Sequence, residues 1–218
     1  MKKFVIFDLD GTLVDSIYDL ADCVNLSLRK FSLPENTLEE YYSFVGNGME
    51  SLVRKSMKEK SADDDLYLKV RKEFDKLYKE HCNDKTTPYC GVPDFLQKLQ
   101  NTGVKTAVLT NKADEFVGGI LRKCFPEHTF SFAWGNREGF ERKPDPQALL
   151  AMVKEAGFEV ADCVYVGDSE VDVNTAHNAG MDLVCVGWGF RTEAELRASG
   201  ADVIVSDCDE LFNRIISL

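Results

Sequence analysis

The pattern of hydrophobic positions alternates along the chain between short continuous runs and runs with helical spacing. The continuous runs predict strands buried on both faces, because adjacent apolar residues bounded by turn residues suit the centre of a parallel sheet. Between them, apolar residues recur every three or four positions, which predicts helices. The predicted strands are residues 4–7, 104–109, about 129–134, 163–166, 183–187 and 203–205. The alternation predicts an α/β fold whose parallel sheet is covered by helices.

Capping residues mark where several of these helices begin. Asp145 is a favourable N-cap for a helix over residues 146–156, and Pro146 suits its first turn. Two capping boxes, in which Thr is followed three residues later by Glu, mark two more helix starts. They are Thr37 with Glu40 and Thr192 with Glu195.

Residues 16–86 interrupt the alternation, because no convincing strand pattern occurs there. Two helical stripes of apolar residues stand out instead, one over residues 17–28 and one over residues 66–77. The pattern therefore predicts two parts. An α/β core is formed by residues 1–15 and 87–218, and residues 16–86 form an inserted all-helical cap.

The charge of the chain excludes several classes of partner. Its 218 residues include 26 Lys and Arg against 37 Asp and Glu, a formal net charge of −11 at pH 7. Such a surface repels nucleic acid and anionic lipid, so we expect neither as a partner. No apolar run approaches the roughly 18–20 residues of a membrane span, and the run at residues 4–7 is too short for a secretory signal. We therefore expect a cytoplasmic protein with no membrane partner.

The seven cysteines and three histidines show no disulfide or zinc pattern. The cysteine count is odd, no Cys-x-x-Cys occurs, and Cys163 and Cys185 lie within apolar runs. Reduced cysteines in a reducing compartment are the simplest interpretation. The histidines lack the spacing of metal ligands, so we expect no zinc site.

The strongest chemical signal is the segment Asp8-Leu9-Asp10-Gly11-Thr12, directly after the first predicted strand. Ligands of open α/β sheets bind beyond the carboxyl ends of the strands, and both carboxylates fall there. Two acidic residues at positions i and i+2, followed by a glycine turn, can serve one site from a backbone that bends around it. Taken alone, the segment could also be a polar turn.

Three further polar clusters lie at strand ends or before a helix. They are Thr110-Asn111-Lys112, Lys143-Pro144-Asp145-Pro146 and Gly167-Asp168-Ser169-Glu170-Val171-Asp172. A hydroxyl, an amide and the N–H groups of a new helix bind oxyanions, and a lysine neutralises phosphate charge. The acidic residues would repel one another without a hard cation, and oxygen ligands suit Mg²⁺. Together the four clusters predict a magnesium-dependent phosphate site.

In this order, the four clusters resemble those of the haloacid dehalogenase-like hydrolase superfamily, in particular its phosphatases with a helical cap after the first motif. The likeness is greatest to bacterial phosphoglycolate phosphatases, through DGTLVDS, TNK, KPDP and GDSEVD in the core and Gly46-Asn47-Gly48 in the cap. The resemblance covers essentially the whole chain. It implies a Rossmann-like parallel sheet with an inserted helical cap, within the residue ranges given above.

The resemblance implies a two-step hydrolysis of a phosphomonoester. Asp8 would be the nucleophile that forms an aspartyl-phosphate. Asp10 would protonate the leaving alcohol and then deprotonate the attacking water. Mg²⁺ would be held by Asp8, the main-chain carbonyl of Asp10, and Asp168.

The resemblance also implies which residues bind the phosphoryl group. Thr110, Asn111 and Lys143 would bind it, and Lys143 would also stabilise the charge of the transition state. Asp172 would orient the metal waters or Lys143 without touching the substrate. The metal and the lysine together would explain how an acidic protein binds an anion.

The cap carries the question of substrate. Gly46-Asn47-Gly48 could present N–H groups to a substrate carboxylate, or could simply separate two helices, and both interpretations stay open. Similar phosphatases often have an arginine four positions before the first glycine, where this chain has Tyr42. This departure weakens the case for 2-phosphoglycolate itself. Closure of the cap would hinge near Val14–Ser16 and Thr86–Val92.

Several alternatives to a phosphomonoesterase remain. Dehalogenases of the superfamily lack the second aspartate, because a leaving halide needs no proton, so Asp10 argues against that activity. A pyrophosphatase, a phosphosugar mutase like β-phosphoglucomutase, and a phospho-accepting domain without turnover are the other possibilities. The expected partner is a small phosphorylated metabolite, and the chain would act as a monomer or homodimer.

Overall fold

A six-stranded parallel sheet forms the centre of the molecule, whose computed structural model describes residues 2–218. Its strands are β1 (Phe4–Phe7), β4 (Lys105–Ala113), β5 (Phe132–Asn136), β6 (Cys163–Gly167), β7 (Asp182–Val186) and β8 (Ile204–Val205). Two further short strands, β2 (Val14–Asp15) and β3 (Thr87–Pro88), form a separate pair. The order in the large sheet is β5-β4-β1-β6-β7-β8, and every neighbouring pair is parallel. The first strand therefore lies in the middle, beside β4 and β6.

Helices follow the strands and also form the cap. They are α1 (Ile17–Lys30), α2 (Leu38–Phe44), α3 (Gly48–Ser56), α4 (Asp64–His81), α5 (Val92–Asn101), α6 (Asp114–Cys124), α7 (Gln147–Ala156), α8 (Glu170–Ala179), α9 (Glu193–Ala198) and α10 (Cys208–Ser217). Both predicted capping boxes are present, before α2 and before α9. Of the helices in residues 2–218, none combines the length and the apolar character that crossing a bilayer requires.

The sheet has a hydrophobic layer on each face, and β1 contributes to both. Val5 and Phe7 pack in the layer that includes α5, α6 and α10. Phe4 and Ile6 pack on the other face against α7. All four side chains are fully buried, which explains why this strand has a continuous apolar run rather than an alternating one.

The cap consists of α1 to α4 around a hydrophobic cluster of its own, which includes Val24, Val70 and Phe74. The molecule thus has the predicted Rossmann-like core with an inserted helical cap. The short strands β2 and β3 pair antiparallel, with Asp15 opposite Thr87, so the two passages of the chain between core and cap lie side by side. Both predicted hinges fall in or next to this β2–β3 ribbon, while the exact domain bounds stay a prediction.

The end of β4 differs from the sequence prediction. The strand continues through residues 110–112 to Ala113, and α6 begins only at Asp114. The three polar residues therefore end a strand and do not begin a helix, so they offer side chains rather than helical N–H groups. Their register against β5 shifts after Leu109. Sequence alone misses this extension because buried polar residues look like a loop.

Two other boundaries shift slightly. The fifth strand covers Phe132–Asn136, two residues beyond the predicted run. Helix α7 begins at Gln147, with Pro146 as its N-cap residue. The prediction of Asp145 as the N-cap is therefore wrong by one residue, because Pro146 takes that position; Asp145 lies just before it, and its Oδ1 accepts from the Gln147 N–H at 2.9 Å.

Candidate active site

The predicted motif residues meet at the carboxyl edge of the sheet. Asp8 follows β1, Asp168 follows β6, and residues 110–112 end β4. Because these strands are neighbours, their ends place the side chains around one point. Lys143 reaches the same point from the loop before α7, with its Nζ 3.0 Å from Asp8 Oδ1. The fold thus brings together four clusters that are far apart in sequence.

Lys143 is the buried cation of this site. Besides facing Asp8, its Nζ donates to Asp172 Oδ1 at 2.7 Å and to the Tyr165 hydroxyl at 2.9 Å. Burial by itself lowers the pKa of a lysine, but the charges of Asp172 and Asp8 outweigh this, so the pKa of Lys143 is raised well above its ordinary value. Lys143 therefore keeps its positive charge beside Asp8.

Asp8 has one carboxylate oxygen available for a ligand or for attack. Its Oδ1 accepts from the Leu9 N–H at 2.7 Å and faces Lys143 at 3.0 Å, and neither of these contacts uses Oδ2. Burial raises the pKa of Asp8 to about 7, with Asp172 and Asp10 adding to the rise and Lys143 opposing it. Burial and the neighbouring carboxylates therefore outweigh the attraction of Lys143, and the ionised form of Asp8 is disfavoured.

Asp8, Asp168 and Asp172 form a buried carboxylate cluster, in which one oxygen from each lies within 4.8 Å of the others. Burial and the charges of Asp172 and Asp8 raise the pKa of Asp168 well above its ordinary value. A hard cation fits this cluster, because it would allow the carboxylates to ionise together and its preferred ligands are oxygens. The donor set therefore suits Mg²⁺.

Asp172 and Asp168 differ in how far their carboxylates are already engaged. Asp172 Oδ1 accepts from Lys143, and its Oδ2 accepts from the Ser169 hydroxyl at 2.6 Å and from the N–H groups of Ser169 and Asp168. Asp168 accepts one bond on each oxygen, from the Thr12 hydroxyl at 2.9 Å and the Phe190 N–H at 2.8 Å. The Asp168 carboxylate therefore has more lone pairs left to bind a cation. Asp172 instead fixes Lys143 and the backbone turn at Asp168 and Ser169.

Glycines allow two loops to approach Asp168. A Cβ atom on Gly11 would lie 2.2 Å from Asp168 Oδ2, and one on Gly189 would lie 2.3 Å from Asp168 Cβ. Gly11 also has a φ of 86°, in the left-handed region. The glycine after Asp10 is therefore required by both its backbone conformation and its contact with Asp168.

Thr110 and Asn111 have different surroundings. Thr110 lines the cavity next to Asp8. The Asn111 amide is engaged with backbone groups: its Oδ1 accepts from the Lys143 N–H at 2.9 Å, and its Nδ2 donates to the carbonyls of Lys143 at 3.0 Å and Gly46 at 3.1 Å. Asn111 therefore fixes the Lys143 backbone and the cap turn, and its predicted contact with phosphate stays a prediction.

Asp10 is bound to residues of both the core and the cap connection. The Ser16 hydroxyl donates to its Oδ1 at 2.5 Å, and Lys112 Nζ donates to its two oxygens at 3.0 and 3.2 Å. Lys112 also contacts the Tyr78 hydroxyl on α4 at 2.5 Å. Burial lowers the pKa of Lys112, but the charge of Asp10 and these hydrogen bonds outweigh it, so the pKa is raised.

The cavity between core and cap has two unlike walls and encloses about 470 Å³, its open mouth included. The core wall consists of Asp8, Asp10, Thr110, Asn111 and Lys112. The cap wall consists of Leu20, Val45, Gly46, Gly48, Met49 and Leu52. A ligand here would place its charged group against the core and the rest against an apolar wall.

The segment before the glycine turn is fastened to the core by Arg191, which follows β7. Its guanidinium donates to the carbonyl of Val45 at 2.8 Å and to that of Tyr42, and it pairs with Glu170 at 2.8 Å. The Tyr42 ring packs against Phe190, with centroids 5.8 Å apart. Tyr42 is therefore a contact between cap and core.

Four residues of the site have no role in the sequence prediction: Tyr78, Lys112, Tyr165 and Arg191. Lys112 was visible within the Thr-Asn-Lys cluster, but sequence does not show that it is buried against Asp10. Tyr165 lies in an apolar strand and looks like an ordinary core residue. Tyr78 and Arg191 carry no local signal, because their partners come from distant parts of the chain.

The chain is similar to known proteins along nearly its whole length. A sequence profile described as haloacid dehalogenase-like hydrolase matches residues 5–186. A phosphoglycolate phosphatase of Chromobacterium violaceum is 35% identical over 214 residues, which cover 97% of this chain and 95% of that protein. A phosphoglycolate phosphatase of Pseudomonas savastanoi pv. phaseolicola is 34% identical over 215 residues, covering 97% of this chain and 79% of that protein.

Solved structures show the same similarity in three dimensions. A crystal structure from Lactobacillus delbrueckii subsp. bulgaricus, described as a candidate phosphoglycolate phosphatase, has a TM-score of 0.92 and 34% identity, and the match covers 99% of each chain. A predicted phosphoglycolate phosphatase from Haemophilus somnus has a TM-score of 0.90 and 28% identity, covering 100% of this chain and 98% of that one. The similarity therefore includes the cap as well as the sheet.

Proposed function

We propose a mechanism and a substrate class for this chain, which belongs to the haloacid dehalogenase-like hydrolases and is a phosphoric monoester hydrolase. The chain hydrolyses a small phosphomonoester through an aspartyl-phosphate on Asp8, with Mg²⁺ bound beside it. The observation that carries this proposal is the buried Lys143 ammonium, 3.0 Å from Asp8 Oδ1. It provides the positive charge that a phosphoryl group needs next to the attacking oxygen.

In the first step, Asp8 Oδ2 attacks the phosphorus atom of the substrate. The bond between phosphorus and the alcohol oxygen breaks, and its electron pair goes to that oxygen. Asp10, on the same wall of the cavity, gives the oxygen a proton. The products of this step are the free alcohol and a phosphoryl group bonded to Asp8.

In the second step, Asp10 takes a proton from a water molecule whose oxygen attacks the phosphorus atom. The bond between phosphorus and Asp8 breaks, inorganic phosphate leaves, and the Asp8 carboxylate is restored. Lys143 and Thr110 offset the negative charge of the phosphoryl oxygens in both steps. Asn111 contributes by holding the Lys143 backbone.

Mg²⁺ would be held by Asp8, Asp168 and the main-chain carbonyl of Asp10. When bound, the cation supplies positive charge that keeps the clustered carboxylates ionised and neutralises phosphoryl oxygens. The oxygen-only donor set and the raised pKa values of Asp8 and Asp168 support this proposal. Asp172 supports the site through its contacts with Lys143 and Ser169.

The walls of the cavity suggest the substrate class. Among the cavity-lining residues that the structure describes, those from the cap carry no charged side chain. The alcohol part of the substrate therefore meets Leu20, Met49, Leu52 and the backbone of the glycine turn. A substrate like 2-phosphoglycolate, the compound for which the similar enzymes are named, would place its carboxylate near the N–H groups of that turn.

Phosphate release across a small panel tests the proposal. The panel contains 2-phosphoglycolate, pyrophosphate, sugar phosphates and nucleoside monophosphates, each with Mg²⁺ and with EDTA. We expect metal-dependent release that is fastest with a small alkyl phosphate, together with an acid-stable, hydroxylamine-sensitive phosphoryl group on Asp8. Fastest release from pyrophosphate would instead identify a pyrophosphatase. Labelling without release would contradict a phosphatase.

A further inference from the structure

Both oxygens of the Asp10 carboxylate are held by neighbouring side chains. Lys112 Nζ lies 3.0 Å from Oδ1 and 3.2 Å from Oδ2, and the Ser16 hydroxyl donates to Oδ1 at 2.5 Å. A carboxylate bound at both oxygens cannot turn about its terminal torsion without losing a charge-assisted hydrogen bond. Lys112 therefore fixes the direction in which Asp10 points.

Lys112 has no donor left for a ligand in this arrangement. A lysine ammonium carries three N–H groups. The two oxygens of Asp10 and the Tyr78 hydroxyl account for three acceptors, and the Lys112 side chain is 2% exposed. Although Lys112 belongs to the same polar cluster as Thr110, it acts through Asp10 and not on the phosphoryl group.

Tyr78 connects this arrangement to the cap. It lies near the end of α4 and is fully buried. Its ring stacks on Phe74 of the cap cluster, with centroids 5.2 Å apart, and meets Phe116 of the core helix α6 edge-on at 5.1 Å. The position of its hydroxyl therefore depends on how the cap packs against the core.

We propose that Lys112 is a positioning residue for Asp10, and that the Tyr78 hydroxyl makes this positioning depend on the cap. The inference rests on the proposed role of Asp10 as the acid for the leaving alcohol. A general acid must lie within hydrogen-bond reach of the oxygen that it protonates. With the cap in place, Tyr78 fixes Lys112 and Lys112 fixes Asp10; without that contact, Asp8 can still attack but the leaving alcohol lacks its proton.

Comparing substrates with different leaving groups distinguishes a positioning role of Lys112 from a merely structural one. An alkoxide is a poor leaving group and needs the proton, whereas p-nitrophenolate leaves readily without one. Displacing Asp10 should therefore slow formation of the aspartyl-phosphate, measured as kcat/KM, much more with 2-phosphoglycolate than with p-nitrophenyl phosphate, whereas the loss of Asp10 as the base of the second step lowers kcat for both substrates. General damage to the fold or to Asp8 would slow both substrates to the same extent.

The experiment compares kcat/KM, which reports the first step, for these two substrates in Lys112→Met, Tyr78→Phe and Asp10→Asn. Two variants provide matched controls. Tyr41→Phe removes a buried cap hydroxyl that contacts Asn25, and Lys2→Met removes a buried ammonium that contacts the Ala161 carbonyl. Neither control residue touches the site.

We expect Lys112→Met to lower kcat/KM for 2-phosphoglycolate on the order of 10²-fold, as loss of a general acid does, with a much smaller loss for p-nitrophenyl phosphate. Tyr78→Phe should show the same preference at about 3–10-fold, because it removes one hydrogen bond and leaves the ion pair in place. The controls should match the parent enzyme on both substrates.

Three outcomes would overturn the inference. Equal losses on the two substrates in both Lys112→Met and Tyr78→Phe, with a preferential loss in Asp10→Asn, would contradict the positioning role alone. A preferential loss in the controls would show that any buried change produces it. Equal losses in Asp10→Asn would contradict the proposed acid, and the inference with it. If Lys112→Met does not fold, Tyr78→Phe decides between the outcomes.

Discussion

The core wall and the cap wall of the cavity are built in opposite ways. On the core wall, the charged side chains are paired: Asp8 with Lys143, which lies behind the wall, and Asp10 with Lys112. On the cap wall, the side chains are apolar or absent, and the cap is held to the core through backbone carbonyls such as that of Gly46. Under the proposed function, the side chains of the core wall carry out the reaction, and the apolar packing and backbone shape of the cap wall select the alcohol.

The largest effect should come from Asp8→Asn on the core wall. The amide cannot attack phosphorus, so we expect activity to fall by on the order of 10³-fold or more on every substrate. Phosphate release across the panel measures this loss. Asp209→Asn is the control, since the Asp209 side chain is 89% exposed, pairs with Lys98 and does not line the cavity. If Asp8→Asn kept a tenth of the activity, Asp8 would not be the nucleophile and the reaction would not depend on the core wall.

A second core change should mainly affect stability. Lys143→Met leaves Asp8 and Asp172 buried without their ammonium, which typically costs about 3–5 kcal/mol of unfolding free energy. Urea unfolding in EDTA measures the loss, with Lys2→Met as a control for the deletion of a buried lysine. The loss should shrink at acidic pH, where the carboxyl groups are protonated. A pH-independent loss would contradict charge pairing as its cause.

Metal removal should have a pH-dependent effect on stability. Because the pKa of Asp8 is raised to about 7 in the fold, its contribution is favourable below the ordinary carboxyl range and is lost as pH rises through about 7. Mg²⁺ binds the ionised form and offsets this loss. We expect Mg²⁺ to raise the Tm by several degrees more at pH 8 than at pH 5. Equal shifts would argue against binding at this cluster.

The smallest effect should come from the cap wall. Gly48 has a φ of 80°, where an alanine is strained by about 1 kcal/mol, and a Cβ would lie 3.0 Å from the flexible end of Arg142. We expect Gly48→Ala to raise KM a few-fold and to leave kcat within about twofold, because the added methyl group meets the alcohol and not the phosphoryl group.

Gly157→Ala separates backbone strain from contact with the substrate in that test. Gly157 has a φ of 76°, and a methyl group added there would have no atom within 4 Å, so this variant should lose similar stability without any change in KM. A fall in kcat for Gly48→Ala alone would show that the cap wall takes part in the chemistry.

Sequence predicts the core wall well because its chemistry requires particular residue types at strand ends. Asp8 and Asp168 stand out for this reason, Lys143 stands out just before a predicted helix, and the structure places all three around one point. The strand before Asp8 has its predicted bounds, because a short, continuous apolar run that ends at a carboxylate is typical of a buried parallel strand. For the core wall, the residue types and their spacing along the chain are enough to predict the site.

The cap wall and the contacts behind the site could not be predicted in the same way. Leu20, Met49 and Leu52 have the spacing of ordinary helix-packing residues. The sequence therefore does not distinguish residues that line the cavity from residues of the hydrophobic core. Lys112 and Tyr78 are 34 residues apart and meet only because the cap lies on the sheet. Such pairs depend on tertiary packing and leave no local pattern.

The β2–β3 ribbon makes the cap an exchangeable part. Asp15 and Thr87 are cross-strand partners, so their Cα atoms lie about 5 Å apart. A short turn could join them directly, and an insertion of another size or shape could start and finish there without moving β1 or β4. Under the proposed function, a different cap inserted at this ribbon would meet a different alcohol, while the residues at the strand ends would stay where they are.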